Sequence, residues 1–191
     1  MNRMKPIILA SQSPRRQELL QLLDLSFTIQ TAQVNEDFDN TLKPSDIVMT
    51  LAQRKAEAVF NLHPEALVIG ADTIVVHHDE ILGKPIDKKD AYHMISRLAG
   101  DVHSVLTGVC LKTSEKEVTF FKEAKVYFSQ LTDEEIEAYI NTNEPYDKAG
   151  AYGIQGRAAK FIEGIEGDYY TIMGLPVNAL YQHLKTFAIY G

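Results

Sequence analysis

The chain of 191 residues carries 26 Asp and Glu against 19 Lys and Arg, a formal net charge of −7, with 45% hydrophobic and 24% charged residues. This balance excludes a surface that coats nucleic acid, which needs a basic footprint, so any affinity for phosphate must be local. No apolar run is long enough to span a membrane, MNRMKPIILAS turns polar too quickly for a secretory signal, and a single cysteine, Cys110, cannot pair internally; the expectation is a cytoplasmic protein.

Ile7 to Ala10 reads as a buried strand, and leucines at 19, 20, 22 and 23 recur as on the buried stripe of a helix. Ser13 suits the N-cap and Pro14 the first helical position, so Arg15 and Arg16 fall in the first turn. Each cation is unfavourable there by about 0.3–1 kcal/mol where exposed, because the turn carries the positive end of the macrodipole. Two readings stay open. Both arginines point into water, or an anion completes a site of N–H groups, hydroxyls and guanidiniums suited to phosphate, although no Walker-type glycine pattern is present.

SFTIQTAQV is predicted to be a second strand, followed by the acidic loop NEDFDNTLKP and a helix from Ser45, as cap, to about Phe60. ALVIGADTIVVHH predicts a long strand, EILGKP a short return, and Asp87 to Leu98 a helix stopped by Gly100. Residues 102–111 and 117–128 read as antiparallel strands around KTSEKE. Thr132 and Glu135 form a capping box ahead of Ile136, Tyr139 and Ile140. KFIEGIEGDYYTIM is expected to be hairpin strands, and Pro176 to about Phe187 a closing amphipathic helix. The pattern implies an α/β fold with a mixed sheet, as a single domain over 1–191.

Polar residues interrupt this pattern at informative places. Asp72 lies inside the apolar VIGADTIVV, where an unpaired carboxylate is costly, so it is expected to be paired, protonated or metal-bound; a structural salt bridge is the plainer alternative. Neighbouring Gly70 leaves room for something to approach the backbone. Lys55 falls on the apolar stripe of its helix, after Ile47 and Leu51 and before Ala58 and Val59, and either snorkels to water or reaches an anion. Lys84, between a glycine and a proline, is by itself an exposed turn lysine.

In the acidic loop Glu36, Asp37 and Asp39 are mostly solvated charges, yet one could join Asp72 in holding Mg²⁺ with phosphate oxygens. His77 and His78, adjacent on a strand, are expected to face opposite ways, and without a Cys/His grouping zinc is not indicated. No G-x-S-x-G elbow suggests covalent catalysis. Gly150, Gly153 and Gly156 make a loop able to pass close to a ligand, and Gln155 within it offers a donor beside an acceptor, as reading a base edge requires.

Taken together, LASQSPRRQELL, GADTIVV, GKP, DKAGAYGIQG and GDYYTIMGLP, in order from Leu9 to Pro176, resemble the Maf family of nucleoside triphosphate pyrophosphatases, in its dTTP/UTP branch. The resemblance implies a long twisted mixed sheet with flanking helices and two lobes around a central cleft, similar to inosine triphosphate pyrophosphatases. It implies hydrolysis of dTTP and UTP to the monophosphate and pyrophosphate, a divalent Mg²⁺ or Mn²⁺ cofactor, no nucleic-acid or membrane partner, and is compatible with a homodimer. By resemblance Asp72 is the proton acceptor and, with Glu36, a metal ligand. Ser11, Arg15, Lys55 and Lys84 match substrate-binding positions, and Arg16, Thr73 and Gln155 match positions linked to substrate preference. Where relatives often carry two acidic residues, this chain has Asn35 and Glu36. The alternatives are a pyrophosphatase for modified purine nucleotides and a non-catalytic nucleotide-binding regulator of septum formation.

Overall fold

The computed structural model describes residues 4–190. Its elements follow in chain order as β1 (Ile7–Leu9), α1 (Pro14–Gln21), β2 (Thr28–Ile29), α2 (Pro44–Phe60), β3 (Leu67–His77), β4 (Glu80–Leu82), α3 (Lys88–Leu98), β5 (Val102–Lys112), β6 (Glu117–Phe128), α4 (Asp133–Ile140), β7 (Ile162–Glu166), α5 (Tyr169–Met173) and α6 (Val177–Lys185). The strands form a seven-stranded sheet in the order β2-β1-β3-β5-β6-β7, with β4 paired to β3. β1 runs parallel to β2 and β3, whereas β4 is antiparallel to β3 and β7 to β6, so the sheet is mixed as expected.

The chain divides into two compact units. The first takes in the chain up to Asp72, Thr107–Lys122 and the chain from Gly174; the second is Thr73–Leu106 with Glu123–Met173. In the first, Ile8, Ala10, Ala52, Ala56, Val59, Val68 and Cys110 form a core between α2 and the strands. Two glycines set the depth of that contact. A Cβ on Gly70 would lie 2.4 Å from the Ala52 carbonyl oxygen and 2.7 Å from the Ala56 nitrogen, and one on Gly108 would lie 2.5 Å from the Val48 carbonyl oxygen. What approaches the backbone at Gly70 is therefore helix α2, and not the ligand its place beside Asp72 suggested. In the second unit, Ile95, Leu98, Val105, Val126, Phe128, Tyr139 and Phe161 lie in one core with Val75 and Leu82.

Several local expectations are corrected. α1 ends at Gln21, leaving Leu22 59% exposed instead of on the buried stripe. The second strand shrinks to Thr28–Ile29, because its parallel partner β1 offers only three residues to pair with. α2 begins at Pro44 with Lys43 at the N-cap position and not Ser45, since the fixed φ of proline suits the first turn. Only Ile162–Glu166 of the expected terminal hairpin is a strand; Gly167 turns at φ +105°, and the Asp168 carboxylate accepts from the N–H and hydroxyl of Thr171, starting α5. The capping box of α4 forms as read, and α3 begins at Lys88 with Asp87, expected as its first residue, as the N-cap that accepts from the Asp90 N–H.

Candidate active site

The first unit gathers six of the singled-out residues. Ser13 caps α1 by accepting from the Arg16 N–H at 3.4 Å, and buried Ser11 accepts from the Ser13 N–H at 3.2 Å. The Arg16 side chain folds back along this loop: its Nη1 donates to Ser11 Oγ at 3.2 Å and its Nε to the Gly174 carbonyl at 2.9 Å. Burial lowers the Arg16 pKa, Asp72 opposes that, and Arg15 adds to it. The two arginines are thus not a pair of equivalent surface charges. Arg16 is built into the strand-to-helix loop, and the Gly174 carbonyl, which no sequence signal marked, is what turns it there.

Lys55 resolves the question posed by Asp72. Gly70 lets α2 lie close on β3, and Lys55 on that helix reaches Asp72 Oδ1 at 2.7 Å, with Asp72 9% exposed. The same ammonium lies 3.2 Å from Glu36 Oε1. Glu36 is held near by its neighbour on the helix: Arg54 Nη1 donates to the Asn35 carbonyl at 3.0 Å and the Asp37 carbonyl at 2.5 Å, while Asn35 Oδ1 accepts from the Asp37 N–H. Asn35 therefore folds the loop and leaves Glu36 as the carboxylate that meets Lys55. Sequence reading missed Arg54, whose one signal was its place beside Lys55. Two carboxylates from separate segments are aimed at one cation.

The second unit carries Thr73, Lys84 and Gln155. β3 and β4 pair with Val75 opposite Leu82, so Lys84, two residues beyond, falls level with Thr73. The Gly83 carbonyl next to Lys84 accepts from the Gly150 N–H at 3.1 Å, which ties this turn to the glycine-rich segment. That segment is not an open loop. It winds into short 3₁₀ turns at Ala149–Ala151 and Arg157–Phe161, with Gly150 at φ +70° and against Val75, and Gln155 is exposed between them.

One constellation went against expectation. β3 ends at His77, and His78 and Asp79 turn at φ +49° and +63°, so the two histidines do not face opposite ways. Both Nε2 atoms meet Asp101 Oδ2, at 2.9 and 2.6 Å, and these bonds hold the Asp101 carboxyl well below the usual carboxylate range. Among the described residues this trio could share a metal ion. However, Arg97 Nε donates to His77 Nδ1 at 2.9 Å, which fixes the His77 proton on Nε2. A metal on Nε2 would move that proton to face the Arg97 donor, opposite to the carboxylate or carbonyl partner that ligating histidines have. The trio is a hydrogen-bonded clasp on the β3–β4 turn.

Comparison with known proteins identifies the family. The sequence model of the Maf family, described as Maf-like protein, matches residues 6–187. A dTTP/UTP pyrophosphatase of Bacillus cytotoxicus is 50% identical over 184 residues, covering 96% of each chain. One from Bacillus pumilus is 47% identical over 186 residues, 97% of this chain and 98% of its own. Among solved structures, the Staphylococcus aureus Ham1 protein aligns with a TM-score of 0.52 at 13% identity, covering 95% of this chain and 99% of that one, a likeness of fold. With a family match that runs almost from end to end and relatives sharing half of its residues, the chain belongs to the Maf family.

Proposed function

We propose that this chain is a nucleoside triphosphate pyrophosphatase that hydrolyses dTTP and UTP, and modified pyrimidine triphosphates of the same shape, as a house-cleaning enzyme of the cytoplasmic nucleotide pool. The naming of its half-identical relatives supports the substrate. The observation that carries the reading is the aim of Glu36 and Asp72 at one cation position beside the Ser11–Arg16 loop. These carboxylates are hard oxygen donors, and with phosphate oxygens from the substrate they have the chemistry that Mg²⁺ or Mn²⁺ takes. When bound there, the ion would neutralise phosphate charge and polarise the phosphoryl group.

The remaining work belongs to this chain's own side chains. A water oxygen bonds to the α-phosphorus while the bond from that phosphorus to the bridging oxygen breaks, and pyrophosphate departs with the bridging oxygen. Asp72 accepts the water's proton. Ser11, Arg15, Arg16, Lys55 and Lys84 hold phosphate oxygens, where cations act mainly by positioning and by stabilising charge as it develops. Thr73 and Gln155 set the base preference: an amide matches the N3–H and O4 edge of uracil and thymine, and cytosine presents the wrong pattern.

Incubation with dTTP and Mg²⁺ should yield dTMP and pyrophosphate, resolved by ion-exchange chromatography; dTDP and orthophosphate would overturn attack at the α-phosphorus. Asp72→Asn should lower kcat by roughly 10² or more, the range for loss of a general base.

A further inference from the structure

Among the described residues the Gln155 side chain makes no hydrogen bond, and its segment is held by Glu144. Both carboxylate oxygens of Glu144 accept the Arg157 N–H, at 3.0 and 2.9 Å, across thirteen residues of chain. This N–H opens the 3₁₀ turn Arg157–Phe161, whose N-cap, Gly156, supplies no side-chain acceptor. The first N–H groups of a helical turn need a partner, and a carboxylate there makes a charge-assisted bond. Gly156 is shaped to this contact: a Cβ at that position would lie 2.6 Å from Glu144 Oε2.

The other end of the segment is held from the same place. Lys148 Nζ donates to the Glu144 carbonyl at 2.8 Å and to Asp147 Oδ1 at 2.7 Å, so its stem lies along Gly153, where a Cβ would come within 3.0 Å of Lys148 Cε. The Gly156 N–H closes the turn on the Gly153 carbonyl at 3.2 Å, and Ile154 is buried. Between these fixed points Gln155 is exposed, with its Oε1 on the Gly153 side. Two of the three glycines that suggested ligand approach thus lie against the side chains of Glu144 and Lys148.

We infer that Glu144 is a positioning residue for base selection, acting through the Arg157 N–H to fix the Gly153–Arg157 turn so that Gln155 presents its amide in one orientation. The inference rests on the reading of Gln155 as the base reader. Displacing a positioned group by about 1 Å can cost up to 10²-fold, so Glu144→Ala should lower the ratio of kcat/KM for UTP over CTP by about tenfold. Glu144→Gln, which keeps one acceptor, should lower it by about threefold.

The test is a double-mutant cycle with Gln155→Ala, read as the UTP/CTP ratio, which a merely structural loss of folded protein leaves unchanged because it scales both substrates alike. The expected result is that Gln155→Ala lowers the ratio and that Glu144→Ala then adds no further drop. A ratio unchanged in Gln155→Ala would overturn the reading of Gln155 itself. A lowered ratio there, with an unchanged ratio in Glu144→Ala or an additive loss in the double variant, would overturn the role of Glu144 alone. If Glu144→Ala does not fold, Glu144→Gln carries the same cycle, and an unchanged ratio in it overturns the inference.

Discussion

The ammonium of Lys55 stands where two carboxylates would otherwise face each other, 2.7 Å from Asp72 and 3.2 Å from Glu36. A divalent ion held by the same two oxygens would share that space with a positive charge, and unit charges about 4 Å apart interact by roughly 1–4 kcal/mol between bulk water and a protein surface. On the proposed function, Lys55 and a divalent ion would compete for one pair of partners in the nucleotide-free protein, and an ion taking them would free Lys55 for phosphate. Lys55→Met should bind Mn²⁺ about tenfold more tightly than the parent without nucleotide, measured by the loss of the free-ion electron paramagnetic resonance signal. It should also melt lower without metal, because Asp72 is left buried without its counter-charge. Unchanged or weaker Mn²⁺ binding would show that the two cations do not share the carboxylates. Arg16 makes the complementary case: a helix start that repels cations keeps one by giving it Ser11 and the Gly174 carbonyl to bond.

That Lys55 reaches Asp72 at all is decided at the level of the element, where α2 lies on β3 and β5 through Gly70 and Gly108. An added methyl at either glycine meets helix backbone that no side-chain rotation can clear. Overpacking of this kind costs about 1–3 kcal/mol or more, so Gly70→Ala should lower Tm by about 2–12 °C. Because the shift lifts α2, it should depress turnover more than loss of folded protein explains. Gly164→Ala, with nothing within 4 Å, is the control and should leave Tm unchanged or slightly raised. The same element shows what was legible beforehand. The apolar spacing of α2 put Lys55 on the inward-facing side, and the apolar run of β3 made Asp72 demand a partner, a proton or a metal, so periodicity and burial cost marked each residue, although neither showed that the two meet. What could not be read were contacts between segments far apart in sequence: Arg54 on the loop carbonyls, Arg16 on the Gly174 carbonyl, and Arg97 on the His77 carbonyl. These join side chains to backbone groups, which every residue has, so no residue type announces them. Turn geometry was only faintly marked, since His78 and Asp79 are of types that tolerate the left-handed region better than most yet adopt it seldom, and the β3–β4 reversal decides it.

For the whole molecule, the two units raise the question of whether they unfold together. Each has its own apolar core, which by itself would allow separate melting. The chain, however, passes from one unit to the other at Asp72–Thr73, Leu106–Thr107 and Lys122–Glu123, inside β3, β5 and β6, and again at Met173–Gly174. Melting either unit alone would cut these three long strands near their middles and strip pairing from residues that are otherwise buried, among them Asp72. Exposed linkers let domains part cheaply, but a division that runs through strands leaves unpaired backbone groups that must find water at the cut. Scanning calorimetry should therefore show one transition with calorimetric and van't Hoff enthalpies equal, the signature of all-or-none unfolding. Two resolved transitions, or a van't Hoff value near half the calorimetric one, would mean that the units unfold independently and that the shared strands fray at small cost. The Gly70→Ala protein sharpens the comparison, because its lesion lies in the first unit's core. With coupled units its single transition moves down intact, whereas with independent units only one of two components would shift.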